Sequence, residues 1–182
     1  MGTLLAVMFI LTVSPVALAS GNSTTIKIDY PTFITNEEYY TNLSKEGYTI
    51  EIFIGDEYAE EEQARLDSMK ETPSSDITPF AAPSSGWNLV AYGRYTGSGY
   101  GDVMSKYVFW GRKDITFYCY NSVGGSFKVR VFDPLISNTS PSEEITVPGG
   151  TAILRTVTCT TPISGAYFYF LASGKQFDYY CE

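Results

Sequence analysis

The sequence predicts an all-β protein, an antiparallel β-sandwich of about seven or eight strands with an immunoglobulin-like or jelly-roll-like winding. Short runs of strand-forming residues recur through the second half of the chain, and turns containing glycine or proline separate them. Apolar and polar residues alternate within several of these runs, and none shows the period of an amphipathic helix. The alternation predicts that the following residues point inward: Ile115, Phe117, Cys119, Phe127, Val129, Val131, Ile153, Val157, Cys159, Ala166, Phe168, Phe170, Phe177, Tyr179 and Cys181. The chain has 182 residues, which suits one domain or one domain with an appendage.

Composition excludes several classes of function. Histidine is absent, which excludes Ser-His-Asp catalysis, Cys-His catalysis and histidine metal sites. The net charge is -8, whereas a nucleic-acid-binding protein presents a basic surface, so no nucleic-acid partner is expected. The chain contains 15 tyrosines and 11 phenylalanines, and these residues supply the apolar surface that a packed core needs.

Residues 1–19 are predicted to be a signal peptide. An apolar run begins at Leu4 and is followed by Pro15, and Ala17-Leu18-Ala19 fits the small-x-small rule for signal peptidase, with the cut before Ser20. No lysine or arginine precedes the run, which departs from the usual pattern. The run is short for a membrane span, so we expect a secreted, extracellular protein with no stable span after cleavage.

Residues 20–71 are predicted to be a small, acidic, partly ordered segment. Four bases and thirteen acids give residues 20–85 a net charge of -9, and the remainder of the chain carries +1. Thr49–Ile54 is predicted to be a short strand, and Asp56–Glu71 a helix with a thin apolar stripe. The segment is interpreted as a prosegment, or as an arm lying on the second half of the chain.

Residues 72–86 are rich in proline and serine, which predicts a linker, and residues 87–182 are assigned to the sandwich. Within the sandwich, the glycine-rich stretch Gly97–Gly101 is predicted to be a mobile hairpin loop. The predicted strands are Trp87–Tyr95, Lys106–Trp110, Ile115–Tyr120, Phe127–Phe132, Glu144–Val147, Ala152–Thr160, Ala166–Ala172 and Gln176–Cys181.

All three cysteines, Cys119, Cys159 and Cys181, fall on predicted inward faces. In a secreted protein, three cysteines suggest one disulfide and one remaining thiol. The runs that hold Cys159 and Cys181 point the same way in an immunoglobulin-like winding, which predicts a Cys159–Cys181 disulfide with Cys119 as a buried thiol. Three reduced, buried thiols are the alternative. No CxxC pair is present, so a zinc site is not expected.

No catalytic residue, metal site or cofactor is predicted. A glycosidase needs two carboxylates that face each other across a cleft, and the sequence does not specify such a pair. The acidic run Glu57–Glu62 lacks the spacing of a calcium loop and is interpreted as a solvated helix face. The carboxylates considered in the second part are Asp102, Asp114, Asp133, Glu143, Glu144, Asp178 and Glu182.

Aromatic residues at outward strand positions are the candidate ligand-binding residues. Tyrosine and tryptophan offer a large contact area with few rotatable bonds, and such a face can stack sugar rings or anchor a protein. The alternatives are that these residues only pair across strands, or that the N-terminal segment covers some of them. The candidates are Tyr92, Trp110, Tyr118, Tyr120, Tyr167 and Tyr169.

The sequence therefore predicts a secreted, non-catalytic module that acts by surface contact with a glycan, a cell-envelope component or a protein partner. The alternative hypothesis is a precursor whose acidic leader is clipped in the linker, which would release a toxin-like or bacteriocin-like effector. The contrast between the charges of -9 and +1 motivates this alternative. The sequence does not specify an oligomeric state.

Overall fold

The computed structural model of the chain describes residues 24–69, 82–122 and 124–182. The predicted signal peptide at residues 1–19 and most of the predicted linker lie outside these residues. The fold is mostly β, which confirms the predicted class at that level, whereas a sandwich is not confirmed. The elements are β1 Thr25–Asp29, α1 Tyr30–Thr35, α2 Glu37–Lys45, β2 Thr49–Phe53, α3 Asp56–Met69, β3 Ser85–Asn88, α4 Leu89–Tyr92, β4 Tyr95–Met104, β5 Tyr107–Trp110, β6 Asp114–Asn121, β7 Phe127–Phe132, β8 Glu143–Val147, β9 Thr151–Thr158 and β10 Tyr167–Cys181.

The main sheet is a curled half-barrel. Seven strands follow the order β1-β2-β9-β6-β10-β7-β8, and β4 pairs with the remaining edge of β10. Apart from the parallel pair β1–β2, these pairings are antiparallel, as the sequence predicts. The two runs predicted at Ala166–Ala172 and Gln176–Cys181 are one long strand, β10. Its register shifts between Leu171 and Gln176, where Ser173 and Gly174 have positive φ angles.

A bent hairpin explains the curl. The strands β6 and β7 form one arm of this hairpin, and β8 and β9 form the other. Asn121 of β6 lies opposite Thr151 of β9, and Phe127 of β7 lies opposite Val147 of β8. The ion pair between Arg155 of β9 and Glu143 of β8, at 2.6 Å, shows that the hairpin folds back on itself. The two layers that we expected as separate sheets are therefore halves of one continuous sheet.

The N-terminal segment is part of this sheet. The predicted strand and helix are present as β2 and α3, and β2 pairs with β9 from Ile50 opposite Leu154 to Phe53 opposite Thr151. The strand β1 and the helices α1 and α2 were not expected. For α1 the sequence does contain a local signal, because Asp29 caps this helix by accepting a hydrogen bond from the Thr32 amide at 2.8 Å. The expectation of a partly ordered segment is wrong for residues 24–69.

Two cores lie on opposite faces of the sheet. The helix-covered face packs aromatic residues of α1 and β6 against aliphatic residues of β2, β9 and α3. The other face is lined by the positions that alternation predicts to point inward, and this prediction is confirmed. The predicted inward residues in that core are Ile115, Phe117, Cys119, Phe127, Val129, Val131, Ile153, Val157, Cys159, Ala166, Phe168, Phe170, Phe177, Tyr179 and Cys181.

A small parallel sheet of β3 and β5 packs on this second core, with Trp87 opposite Phe109. The predicted strand Trp87–Tyr95 is wrong, because the chain leaves β3 at Asn88 and forms the one-turn helix α4. The predicted hairpin loop at Gly97–Gly101 is also wrong, because these residues lie in β4. A Cβ at Gly97 would lie 2.9 Å from the ring of Tyr179, so glycine there permits close packing on β10.

Candidate functional site

Three of the six aromatic residues predicted to bind a ligand are buried. Tyr118 and Tyr120 lie on the helix-covered face of the sheet, with exposures of 0% and 1%. Tyr167 stacks on Phe132 with ring centroids 5.0 Å apart and is 1% exposed. The prediction that these three tyrosines face solvent is wrong. The N-terminal elements cover Tyr118 and Tyr120, and Phe132 packs on Tyr167. Strand alternation alone assigns all three tyrosines to the surface.

The other three predicted residues reach the surface at separate places. Tyr92, at the end of α4, is 62% exposed. Trp110 is half-buried on the outer face of the small sheet, where a Cβ at Gly86 would lie 2.8 Å from its Nε1. Tyr169 is half-buried on β10 between β7 and β4. The six residues therefore do not form one binding face.

Tyr92 belongs to a different group of aromatic rings, here called the Trp87 cluster: Trp87, Tyr92, Tyr95 and Tyr107. The Trp87 ring centroid lies 5.3 Å from that of Tyr92, 5.2 Å from that of Tyr95 and 5.5 Å from that of Tyr107. Tyr95 also contacts Phe109 of the core at 5.3 Å. Trp87, Tyr95 and Tyr107 are half-buried, so the cluster is anchored in the core and open to solvent on its outer side.

Local hydrogen bonds hold the Trp87 cluster in place. The side chain of Asn88 caps α4 by accepting from the amides of Val90 and Ala91, at 2.9 and 3.1 Å. The indole Nε1 of Trp87 donates to the carbonyl of Gly93 at 3.1 Å, and Gly93 ends the helix with a φ of 75°. Because this hydrogen bond uses the indole N–H, a ligand would meet the faces and edges of the rings.

Sequence reasoning found Tyr92 but missed Trp87, Tyr95 and Tyr107, because it placed Trp87–Tyr95 in one continuous strand and Tyr107 in a separate strand, Lys106–Trp110. A signal was present: an asparagine followed by four helix-compatible residues and a glycine is typical of a short capped helix. Such a turn reverses the chain and allows Trp87 on β3 and Tyr95 on β4 to meet.

The Trp87 cluster presents ring edges as well as ring faces rather than one flat platform. The other three rings are tilted by 46–61° from the Trp87 ring. Lys106 Nζ lies 5.1 Å from the centroid of Tyr107 and adds a positive charge beside the rings. Rigid aromatic edges flanked by one cation suit the apolar face of a polar ligand.

A buried ionic network lies under the helices. Glu62 of α3 is 0% exposed and accepts two hydrogen bonds from Arg65, at 2.7 and 2.9 Å, and a third from the hydroxyl of Tyr118. The Arg65 guanidinium also lies over the rings of Phe33 and Tyr118, 5.8 and 5.5 Å from their centroids. Burial, with the charge of Glu62, raises the pKa of Tyr118 and of Tyr30. The network fastens α3 to the sheet.

Six of the seven carboxylates considered above contact neighbouring strands or loops. Burial raises the pKa of Glu143, whereas hydrogen bonds from Lys128 and Arg130 lower the pKa of Glu144. These contacts give each of the six a structural role. The partners are Ser173 for Asp102, Thr158 for Asp114, Thr160 for Asp133, Arg155 for Glu143, Lys128 and Arg130 for Glu144, and Arg94 for Glu182.

A groove of about 270 Å³ lies where the edge strand β8 faces β9 and the first residues of β1 and β2. Arg155 lines the groove, but it donates to Thr49 Oγ1 at 3.0 Å and pairs with Glu143 at 2.6 Å. Its charge is therefore already compensated. The groove offers hydroxyl groups of Thr25 and Thr146 beside the acidic side chains of β2 and β8.

The three cysteines are free and buried, so the predicted Cys159–Cys181 disulfide is wrong for this fold. The strand β6 lies between β9 and β10. Cys181 lies opposite Phe117 and Phe117 lies opposite Arg155, whereas Cys159 follows four residues after Arg155. The two cysteines are therefore separated by two strand spacings, roughly 9.5 Å, and also by four residues along the strand, whereas a disulfide spans at most about 7 Å between Cα atoms. Burial raises the pKa of all three thiols, and that of Cys159 is raised to about 12.

No protein-family model matches this chain, and no curated protein sequence matches it. Among residues 24–69, 82–122 and 124–182, no cluster of three or more cysteine, aspartate or glutamate side chains could hold a metal ion. No helix in these ranges combines the length and apolar character that crossing a membrane requires.

Proposed function

We propose that the protein is a secreted, non-catalytic module that binds a glycan of the cell surface or envelope through the Trp87 cluster. Secretion is inferred from the signal-peptide pattern of residues 1–19. The half-exposed ring group on a rigid support is the observation that carries the proposal. Another envelope component and a protein partner are the competing ligands.

The chemistry of aromatic rings supports a glycan. The C–H faces of a sugar ring are apolar and weakly positive, and they pack on the negative π faces of tyrosine and tryptophan. Tyr92 is exposed and leans on Trp87, so its ring needs little ordering when a ligand arrives. The tilted rings present edges as well as faces to the sugar, and the tyrosine hydroxyls supply hydrogen bonds to its hydroxyl groups.

The proposal predicts that Tyr92→Ala weakens glycan binding about tenfold, since an aromatic contact is worth roughly 0.5–1.5 kcal/mol beyond its buried area. Binding is measured by calorimetry and pull-down with oligomers of glucose, mannose and N-acetylglucosamine and with purified peptidoglycan. Tyr39→Ala is the matched control, because Tyr39 is 60% exposed on α2 and Tyr92 is 62% exposed. Equal losses in the two variants, or no retention on any of these materials, would contradict the proposal.

The alternative is the processed precursor, in which cleavage within residues 72–86 releases the C-terminal part as an effector. The charge contrast of -9 and +1 still favours a separable acidic leader. Release would have to break the β2–β9 pairing and expose Tyr118, Tyr120 and Tyr180, each no more than 1% exposed in the intact fold. We therefore place the binding module first.

A further inference from the structure

Three loops meet at one end of the curled sheet, here called the loop end: residues 111–113, 134–142 and 159–166. The first and third loops are joined where the amide of Cys159 donates to the carbonyl of Lys113 at 2.7 Å. The antiparallel pairing of β6 with β9 places these two loops side by side. The opposite end of β9 holds the bend of the long hairpin.

Asp133 joins the second loop to the third. One of its carboxylate oxygens accepts from the amide of Thr160 at 2.7 Å, and the other accepts from the amide of Leu135 at 2.9 Å. The hydroxyl of Ser164 also reaches this carboxylate at 3.4 Å. Asp133 is only 4% exposed, so its carboxylate is hydrogen-bonded within the loop end and does not reach a partner at the surface.

Apolar side chains project from the loop end into solvent. Leu135 and Ile136 are 62% and 64% exposed, and Ile163 is 79% exposed. Trp110 flanks the third loop, since a Cβ at Gly165 would lie 3.0 Å from the Trp110 Cβ. Two of the three loops therefore expose apolar side chains beside a half-buried tryptophan.

The charge of the loop end is opposite to that of the chain. The three loops contain no aspartate or glutamate, and their charged residues are Arg112 and Lys113, both exposed. The whole chain carries -8. The neighbouring Asp114 accepts from the hydroxyl of Thr158 at 2.7 Å. The loops themselves therefore present two exposed cations, with the exposed carboxylate of Asp114 directly beside them.

We propose that the loop end docks on the surface of an anionic lipid bilayer. The side chains of Leu135, Ile136 and Ile163 enter the boundary between headgroups and acyl chains, and Arg112 and Lys113 lie at the lipid phosphates. A soft bilayer accommodates apolar side chains that come from separate loops, and apolar contact together with basic residues provides the two signals that stable attachment needs. This surface is distinct from the Trp87 cluster and goes beyond glycan binding.

The test is co-sedimentation of residues 20–182 with vesicles of phosphatidylcholine alone or mixed with phosphatidylglycerol. Residues 1–19 are omitted because their apolar run would bind lipid by itself. We expect binding to the anionic vesicles that weakens with added salt. Removing both charges in R112Q/K113Q should weaken it by about twentyfold, close to fivefold per basic residue.

The apolar contribution is tested with L135D/I163D, which should weaken vesicle binding by at least about tenfold. The control is Phe53→Asp, because Phe53 is 61% exposed and pairs with Thr151 at the opposite end of β9. Thermal melts confirm that each variant is folded, and Tyr92→Ala should bind vesicles normally. Three outcomes would overturn the proposal: no binding to anionic vesicles, equal binding to neutral vesicles, or equal loss in L135D/I163D and the control. A protein occupant of this surface would give the first of these results.

Discussion

At the scale of single residues, burial decides the chemistry of the cysteines. Cys119, Cys159 and Cys181 line the core that the small sheet covers. The thiolate is the reactive form of cysteine, and an apolar environment disfavours it. A pKa of about 12 in place of the usual 9.0 for Cys159 leaves roughly a thousandfold less thiolate at a pH below both values. Buried thiols of this kind persist in an oxidising compartment.

This burial predicts that the folded protein resists a thiol reagent such as Ellman's reagent at a pH of about 8, whereas the unfolded, unreduced protein reacts rapidly at all three cysteines. Absorbance of the released thiolate gives both the rate and the count. Cys159→Ser should lower the unfolded count by one. A count of one in the unfolded wild-type protein would reveal a disulfide and contradict the free thiols.

At the scale of elements, α3 shows how a weakly patterned helix is held. Its fully buried side chains in the structure are Leu66 and Glu62. The buried carboxylate is compensated by Arg65 and Tyr118, so the helix is attached by charge-assisted hydrogen bonds as well as by apolar contact. Such a buried ion pair contributes more to fixing the position of the helix than to the net free energy of unfolding.

Glu62→Ala is therefore predicted to lower the free energy of unfolding by about 3–5 kcal/mol, since it leaves the Arg65 guanidinium without its main buried partner. Urea denaturation followed by circular dichroism measures the change. Glu61→Ala, one residue away and exposed, should change stability by no more than about 0.5 kcal/mol. Similar small effects from both substitutions would show that the network does not fasten α3.

At the scale of the whole molecule, the acidic N-terminal segment and the rest of the chain share one fold. The hydroxyls of Ser44 on α2 and Thr156 on β9 lie 3.0 Å apart, and β2 extends the sheet beyond β9. Across the same boundary, Nη1 of Arg94 donates to the thioether sulfur of Met69 on α3 at 3.4 Å. The two parts therefore bury each other's surface, and neither is a complete layer alone.

A protease site inserted within residues 72–81 tests this mutual burial. We expect the two fragments to elute together in size-exclusion chromatography after cleavage, because separation would expose the aromatic core under the helices. Elution in urea provides the control for complete cleavage. Separation of the fragments under native conditions would instead support release of an effector.

Much of the second half of the fold was predictable because strand alternation is a local property. Each of β5 to β9 lies within about two residues of a predicted run, and the predicted inward residues all line one core. One exception is Trp87–Tyr95, where Asn88 caps the helix α4, and another falls where glycine misled the prediction. Gly97–Gly101 was assigned to a loop because glycine favours turns, yet here it allows β4 to pack closely on Tyr179.

The sequence by itself determined the mostly β class, the positions of β5 to β9 and the absence of histidine chemistry. Tertiary structure alone decided which aromatic residues reach solvent and how far apart the cysteines lie. Tyr118 and Phe117 are neighbours on β6 and both are fully buried, because the helices cover one face and the curled sheet closes over the other. Alternation assigns residues to faces, but what covers each face depends on segments distant in the sequence.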